Sequence, residues 1–210
     1  MLHLPVRLVL ASTSRYRRAQ LQRLGLTFAA VAPPYEELPR PGLDARQLID
    51  HHAREKALAL QAVSEYAGDW ILAADQGVVV DGPGGARLLG KPGTVEAAVA
   101  QLLDLADKTH ELRTTVALAL PGRPVDVRTS SVQVTMRPMD RQWAERYVAL
   151  DEPLDCAGSY KIEAGGPWVI AACHGSDPTA IEGLPLLLVV EMLREALQYS
   201  ESAEPAGAST

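Results

Sequence analysis

A chain of 210 residues, 47% hydrophobic and 22% charged, holds enough apolar side chains for a packed core in one fair-sized domain or two small ones. Its formal net charge of −6 excludes a general nucleic-acid binder, which carries a basic face. No apolar run is long enough to span a membrane and no signal-peptide core opens the chain, so a cytoplasmic protein is expected.

The first element is an apolar run at 8–11, followed by Ser12, Thr13 and Ser14 and then by Arg15, Tyr16, Arg17 and Arg18. Ser14 suits an N-cap and Gly25 a helix stop. A strand, a hydroxyl-rich turn and a basic helix start bring N–H groups, hydroxyls and guanidinium groups to one spot, as an anion site requires. A capped surface helix with solvated arginines fits the same letters.

A second strand is expected at 27–32, then an irregular proline-rich loop carrying Glu36 and Glu37. Asp44 with Gln47 forms a capping-box pattern, and Ile49, Ala53, Ala57 and Leu60 make the apolar stripe of a long helix. Lys56 lies beside that stripe, so part of its stem should be covered, as in a snorkelling lysine. An apolar strand at 70–74 ends in Asp75 and Gln76, and 78–80 with 87–89 reads as a hairpin ending at Gly90, Lys91 and Pro92. Thr94 caps a helix to about 106, strands follow at 111–120 and 125–137, and Asp140 caps a helix to about 150. The stretches 154–162 and 168–173 flank a glycine-rich turn, and a last apolar helix runs over 184–197. Helices mixed with hairpin strands predict an α/β fold with a mixed sheet. The domain is expected to span 1–198, and 199–210 to be a disordered tail.

Asp75, at the end of an apolar strand, is placed for partial desolvation, which suits a general base or a metal ligand. An ordinary strand-end aspartate bonded to backbone is the plainer alternative. Glu36 and Glu37 offer oxygen ligands to a hard cation or form a solvated acidic loop. Lys91 is either a phosphate contact or part of a turn. Cys156 and Cys173 lack metal-site spacing and read as buried free thiols. The histidines share no spacing and read as surface or helix residues. P-loop, dinucleotide-binding and hydrolase-elbow motifs are absent. Cations from several segments around a carboxylate are what metal-assisted attack on a polyphosphate needs.

LASTSRYRR at 10–18, EELP at 36–39, AREKA at 53–57, AADQ at 73–76, GKP at 90–92, CAGSYKIE at 156–163 and GSDPTAIEGLPL at 175–186 follow one another in order. Together they resemble the Maf family of nucleoside-triphosphate pyrophosphatases. Tyr16, Gln76, Glu163 and the GSDP loop point to its branch acting on 7-methyl-GTP. The resemblance implies an elongated, inosine-triphosphatase-like α/β domain with a twisted mixed sheet and a central cleft. It implies cleavage between the α- and β-phosphates, with a homodimer as the usual assembly. Asp75 matches the proton acceptor. Ser12, Arg17, Lys56 and Lys91 match phosphate-handling positions. Glu37 with Asp75 matches the pair expected to hold Mg²⁺ or Mn²⁺, and Tyr16, Gln76 and Glu163 match positions of base choice. Arg15 stands where the family usually has proline, and Glu36 where it usually has aspartate. The same reaction on dTTP or UTP, and a nucleotide-binding regulator of cell division, are the competing readings.

Overall fold

The computed structural model describes residues 4–203. Its strands form one mixed seven-stranded sheet in the order β2-β1-β3-β5-β6-β7, with β4 paired to β3. Strand β1 (Leu8–Ala11) is wholly buried and runs parallel to both β2 (Phe28–Val31) and β3 (Trp70–Val80). The rest of the sheet is antiparallel: β4 (Arg87–Leu89), β5 (Thr109–Ala119), β6 (Asp126–Met136) and β7 (Ile170–His174).

Strand β3 does not stop at Asp75. Two polar residues interrupt its apolar run, but β5 pairs with it continuously from Ile71 to Val79, so Asp75 lies mid-strand opposite Thr115. Backbone pairing, which the side-chain pattern does not report, carries the strand through. Gly77 leaves room here for its neighbours: a Cβ would lie 2.3 Å from Leu88 Cδ1 and 3.1 Å from Ile49 Cδ1, so those side-chain ends would have to shift.

Successive β3 residues face opposite sides of the sheet. On one side lies α2 (Ala45–Gln61), whose Ala53, Ala57 and Leu60 meet Ile71, Ala73, Ala117 and Ala119. It starts as its capping box dictates, with Gln47 N donating to Asp44 Oδ1 at 2.8 Å and Asp44 N to Gln47 Oε1 at 3.0 Å. The other side carries two apolar clusters. Leu72, Ala74, Val116 and Leu118 pack under α1 (Arg15–Gln22) and α5 (Leu186–Ala203). Val78, Leu112, Val132 and Val134 pack under α3 (Val95–Leu105) and α4 (Arg141–Asp151). Between the clusters, at the level where alternation puts Gln76 and Thr114, the face turns polar.

Helix α5 continues through 199–203, so this part of the expected tail is helical; residues 204–210 lie outside the described residues. Among the described residues no helix is long and apolar enough to cross a membrane.

Candidate active site

Strand β1 pairs with β3 only over residues 70–72, and β4 pairs with it over 78–80. Between them one edge of β3 has no strand neighbour, at the carboxyl end of β1, where ligands gather in open α/β sheets. The turn after β1 fills this gap. Ser12 is buried, and its Oγ accepts from Ser14 N at 3.1 Å. Ser14 caps α1 by accepting from Arg17 N. Arg17 then reaches across the open edge: its Nη1 donates to Ala74 O at 2.7 Å and its Nε to Gly183 O at 3.1 Å. Two of its three guanidinium nitrogens therefore hold backbone. Desolvation lowers its pKa, while the nearby Asp75 and Glu37 charges act against the shift.

On the α2 side, Lys56 Nζ lies 2.5 Å from both Asp75 Oδ1 and Glu37 Oε1. Lys56 is 6% exposed and Asp75 8%, so this is no snorkelling lysine; the ammonium is buried with Asp75, while Glu37 meets it from the exposed loop. Burial acts to raise the Glu37 pKa, but the bonded Lys56 ammonium holds it below the usual carboxylate value. Tyr35 Oη and His52 Nδ1, 2.7 Å apart, tie the proline-rich loop that carries Glu37 to α2 one turn before Lys56. Burial lowers the His52 pKa, against the pull of Asp75 and Glu37.

On the opposite side, Tyr16, Arg17, Gln76, Lys91 and Glu163 line one pocket of about 330 Å³, a size usual for small-molecule sites. Gln76 Nε2 donates to Thr114 Oγ1 at 2.7 Å and to Ala180 O at 2.9 Å, leaving its carbonyl oxygen to accept. Lys91 and Glu163 are exposed. Between the pocket residues Ala157 and Tyr160, Gly158 has φ 76°, and a Cβ there would lie 2.8 Å from both Tyr160 Cε1 and Val78 Cγ2. The expected site residues thus fall into two groups on opposite faces of β3. Asp75 and Gln76, adjacent in sequence, belong one to each, and Arg17 spans the edge between them.

Several residues differ from their sequence reading. Glu36 is exposed and outside the Lys56 cluster. Arg15 does not loosen α1, which begins at it. His110 is buried on β5, neither on the surface nor on a helix; His52 lies on α2 as read, but buried, one turn from Lys56 beside the apolar stripe. Cys156 is only part-buried and Cys173 exposed, both as free thiols, and burial pushes the Cys156 thiol up to about 12. Asp155 also lines the pocket, and nothing local in the sequence marked it; Tyr160 lines it too, within the CAGSYKIE stretch.

A family model described as "Maf-like protein" matches residues 7–196. A protein of Pseudomonas syringae pv. tomato named 7-methyl-GTP pyrophosphatase is 42% identical over 188 residues, 89% of this chain and 94% of that protein. One of the same name from Xanthomonas campestris pv. campestris is 39% identical over 190 residues, 90% of this chain and 96% of that protein. The solved structure of a HAM1 protein from Coxiella burnetii matches with a TM-score of 0.51 at 16% identity, over 90% of this chain and 99% of that one; this is a likeness of fold.

Proposed function

The chain belongs to the Maf-like protein family, and we propose that it hydrolyses 7-methyl-GTP to 7-methyl-GMP and pyrophosphate, as a homodimer in the cytoplasm. It is an enzyme acting on phosphoric anhydrides, like its named relatives. The observation that carries the reading is the pocket joining Tyr16, Arg17, Gln76, Lys91 and Glu163 across β3 from the Lys56–Asp75–Glu37 cluster.

In this reading Ser12, Arg17, Lys56 and Lys91 bind the phosphate chain and neutralise its charge. Asp75 accepts the proton of the water that attacks the α-phosphorus. The α–β anhydride bond breaks and pyrophosphate leaves. Tyr16 stacks on the base. Guanine offers N–H donors on its Watson–Crick edge, and Glu163 accepts from them in charge-assisted bonds. Gln76 accepts from the base or sugar through its carbonyl oxygen.

Two carboxylate oxygens, from Glu37 and Asp75, converge on one ammonium. Such a donor pair fits Mg²⁺ or Mn²⁺, because Mg²⁺ is usually held by one or two carboxylates together with substrate phosphates and water. No cluster of three or more His, Cys, Asp or Glu ligands occurs among the described residues, so the substrate's oxygens would complete the shell. The metal would supply phosphate charge neutralisation and polarisation of the phosphoryl group.

The test is a panel of 7-methyl-GTP, GTP, dTTP and UTP assayed for pyrophosphate release with Mg²⁺. Fastest release from 7-methyl-GTP is expected, with Tyr16→Ala and Glu163→Gln each lowering kcat/KM most for that substrate. Orthophosphate as first product overturns the reaction type. Equal loss on every nucleotide removes Tyr16 and Glu163 from base choice.

A further inference from the structure

Arg15 and Tyr16 are neighbours at the start of α1, and their side chains meet in the wall of the pocket. The Arg15 guanidinium carbon lies 4.8 Å from the centroid of the Tyr16 ring. Its Nη2 donates to Tyr16 Oη at 2.7 Å and stands 3.7 Å from Asp155 Oδ2. Tyr16 Oη in turn donates to Asp155 Oδ1 at 3.5 Å. A planar cation thus rests against an aromatic ring with a carboxylate beside it. Both neighbours favour positive charge: the ring through its quadrupole, the carboxylate directly. The Arg15 side chain is 72% exposed, so contact holds it there and burial does not. It can be displaced into water without opening the core.

We propose that Asp155 is a specificity-determining residue: with Tyr16 it forms a seat for a planar cation, held by Arg15 in the free protein and taken over by a positively charged base in the complex. The proposal rests on the 7-methyl-GTP reading above, since methylation at N7 puts a positive charge on guanine. Displacing Arg15 costs the same whichever base arrives. A cationic base regains the attraction of Asp155, and a neutral one regains only the stacking. Asp155 therefore sets the preference for charge, while Arg15 competes with every base that stacks on Tyr16.

The test uses nucleosides without phosphates, so that only the base site is read. Affinities for 7-methylguanosine against guanosine, and for 1-methyladenosine against adenosine, are measured by titration at mildly acid pH, where both methylated bases are cations. Asp155→Asn is nearly isosteric at an exposed position and should fold. It is expected to lower the preference for the methylated member of each pair about two- to fivefold, as for an exposed ion pair. Arg15→Pro is also compatible with the fold. Arg15 is the first residue of α1, where proline is favoured, and Ser14 before it sits at φ −65° and ψ 118°, the extended geometry a following proline requires. This change should tighten all four nucleosides about two- to fivefold, the range of an exposed cation–π contact, without lowering the methylated preference. Ratios unmoved by Asp155→Asn, or weaker binding in Arg15→Pro, overturn the seat. If 7-methyl-GTP is the preferred substrate but the ratios stay fixed, the seat fails and the substrate reading stands. If 7-methyl-GTP is not preferred but Asp155→Asn still lowers the 1-methyladenosine ratio, the reading fails and the seat stands.

Discussion

Lys56 is the residue on which the charge balance of the site turns. Its buried ammonium is matched by Asp75 and Glu37, and removing one member of such a cluster exposes the others to uncompensated desolvation. Asp75→Asn keeps the shape and leaves Glu37 as partner, so the fold should survive with an unchanged circular dichroism spectrum. Turnover should fall about 10²–10⁴-fold, the usual cost of losing a general base; wild-type turnover in this variant would remove Asp75 from that role. A second prediction concerns His110, whose Nε2 lies 2.9 Å from Tyr160 Oη in the wall behind the pocket. Desolvation lowers its pKa from 6.5 to about 4. A depressed histidine pKa means the unfolded chain takes the proton first, so this contribution is intact above pH 6.5 and is lost as pH falls towards about 4. The shift corresponds to roughly 3 kcal/mol. His110→Gln keeps a hydrogen-bonding partner for Tyr160 and should flatten that part of the stability–pH curve in urea titrations. An identical slope in both proteins would refute the assignment.

At the scale of elements, the loop 175–183 ties the last helix to the site. Asp177, 3% exposed, accepts from Thr179 N at 2.9 Å, Thr179 Oγ1 at 2.6 Å and Leu187 N at 2.8 Å. It thereby places a carboxylate at the start of α5, where the helix dipole favours one. The same loop supplies Gly183 O to Arg17 and Ala180 O to Gln76. Asp177→Ala should cost about 1–3 kcal/mol, combining a lost cap with unsatisfied N–H groups. It should also raise KM, because two pocket residues lose their anchor. A lower melting temperature with unchanged KM would separate the loop from the site. What was legible in the sequence follows the same division of scale. Ser14, Asp44, Thr94 and Asp140 cap their helices as read, because a cap depends on only the next three residues. The mid-strand place of Asp75 and the Lys56 cluster depend on β5 and on the loop at 37, which no local pattern reports. The separation of Asp75 from Gln76 onto two faces follows from strand alternation once β3 is known to be unbroken. Asp155 and the His110–Tyr160 pair join segments far apart in the chain, and only the fold brings them together.

For the whole molecule, the decisive quantity is charge against position. The chain carries a net −6, and a nucleoside triphosphate is itself strongly anionic, so long-range repulsion opposes binding. Local cations, with a divalent metal in the proposed reaction, would have to outweigh that repulsion. The pocket of Gln76 and Lys91 lies between two apolar clusters on one face of the sheet, which touch α3 and α4 on one side and α1 and α5 on the other, and the Lys56 cluster lies across β3 from it. A ligand held there by residues of both halves stabilises the native state as a unit, by mass action. A 7-methyl-GTP analogue with a methylene bridge between the α- and β-phosphates cannot be hydrolysed at that bond. At about 100 times its Kd with Mg²⁺ present it should add roughly 2.7 kcal/mol, a rise in melting temperature of about 5–10 °C for a chain of this size. In EDTA most of the rise should vanish, because phosphate repulsion is then met by Arg17, Lys56 and Lys91 alone. The same rise with and without EDTA would mean that binding needs no divalent ion. No rise at all, at concentrations where the panel assay turns over substrate, would mean that the native protein does not bind the analogue and that the site does not hold this nucleotide.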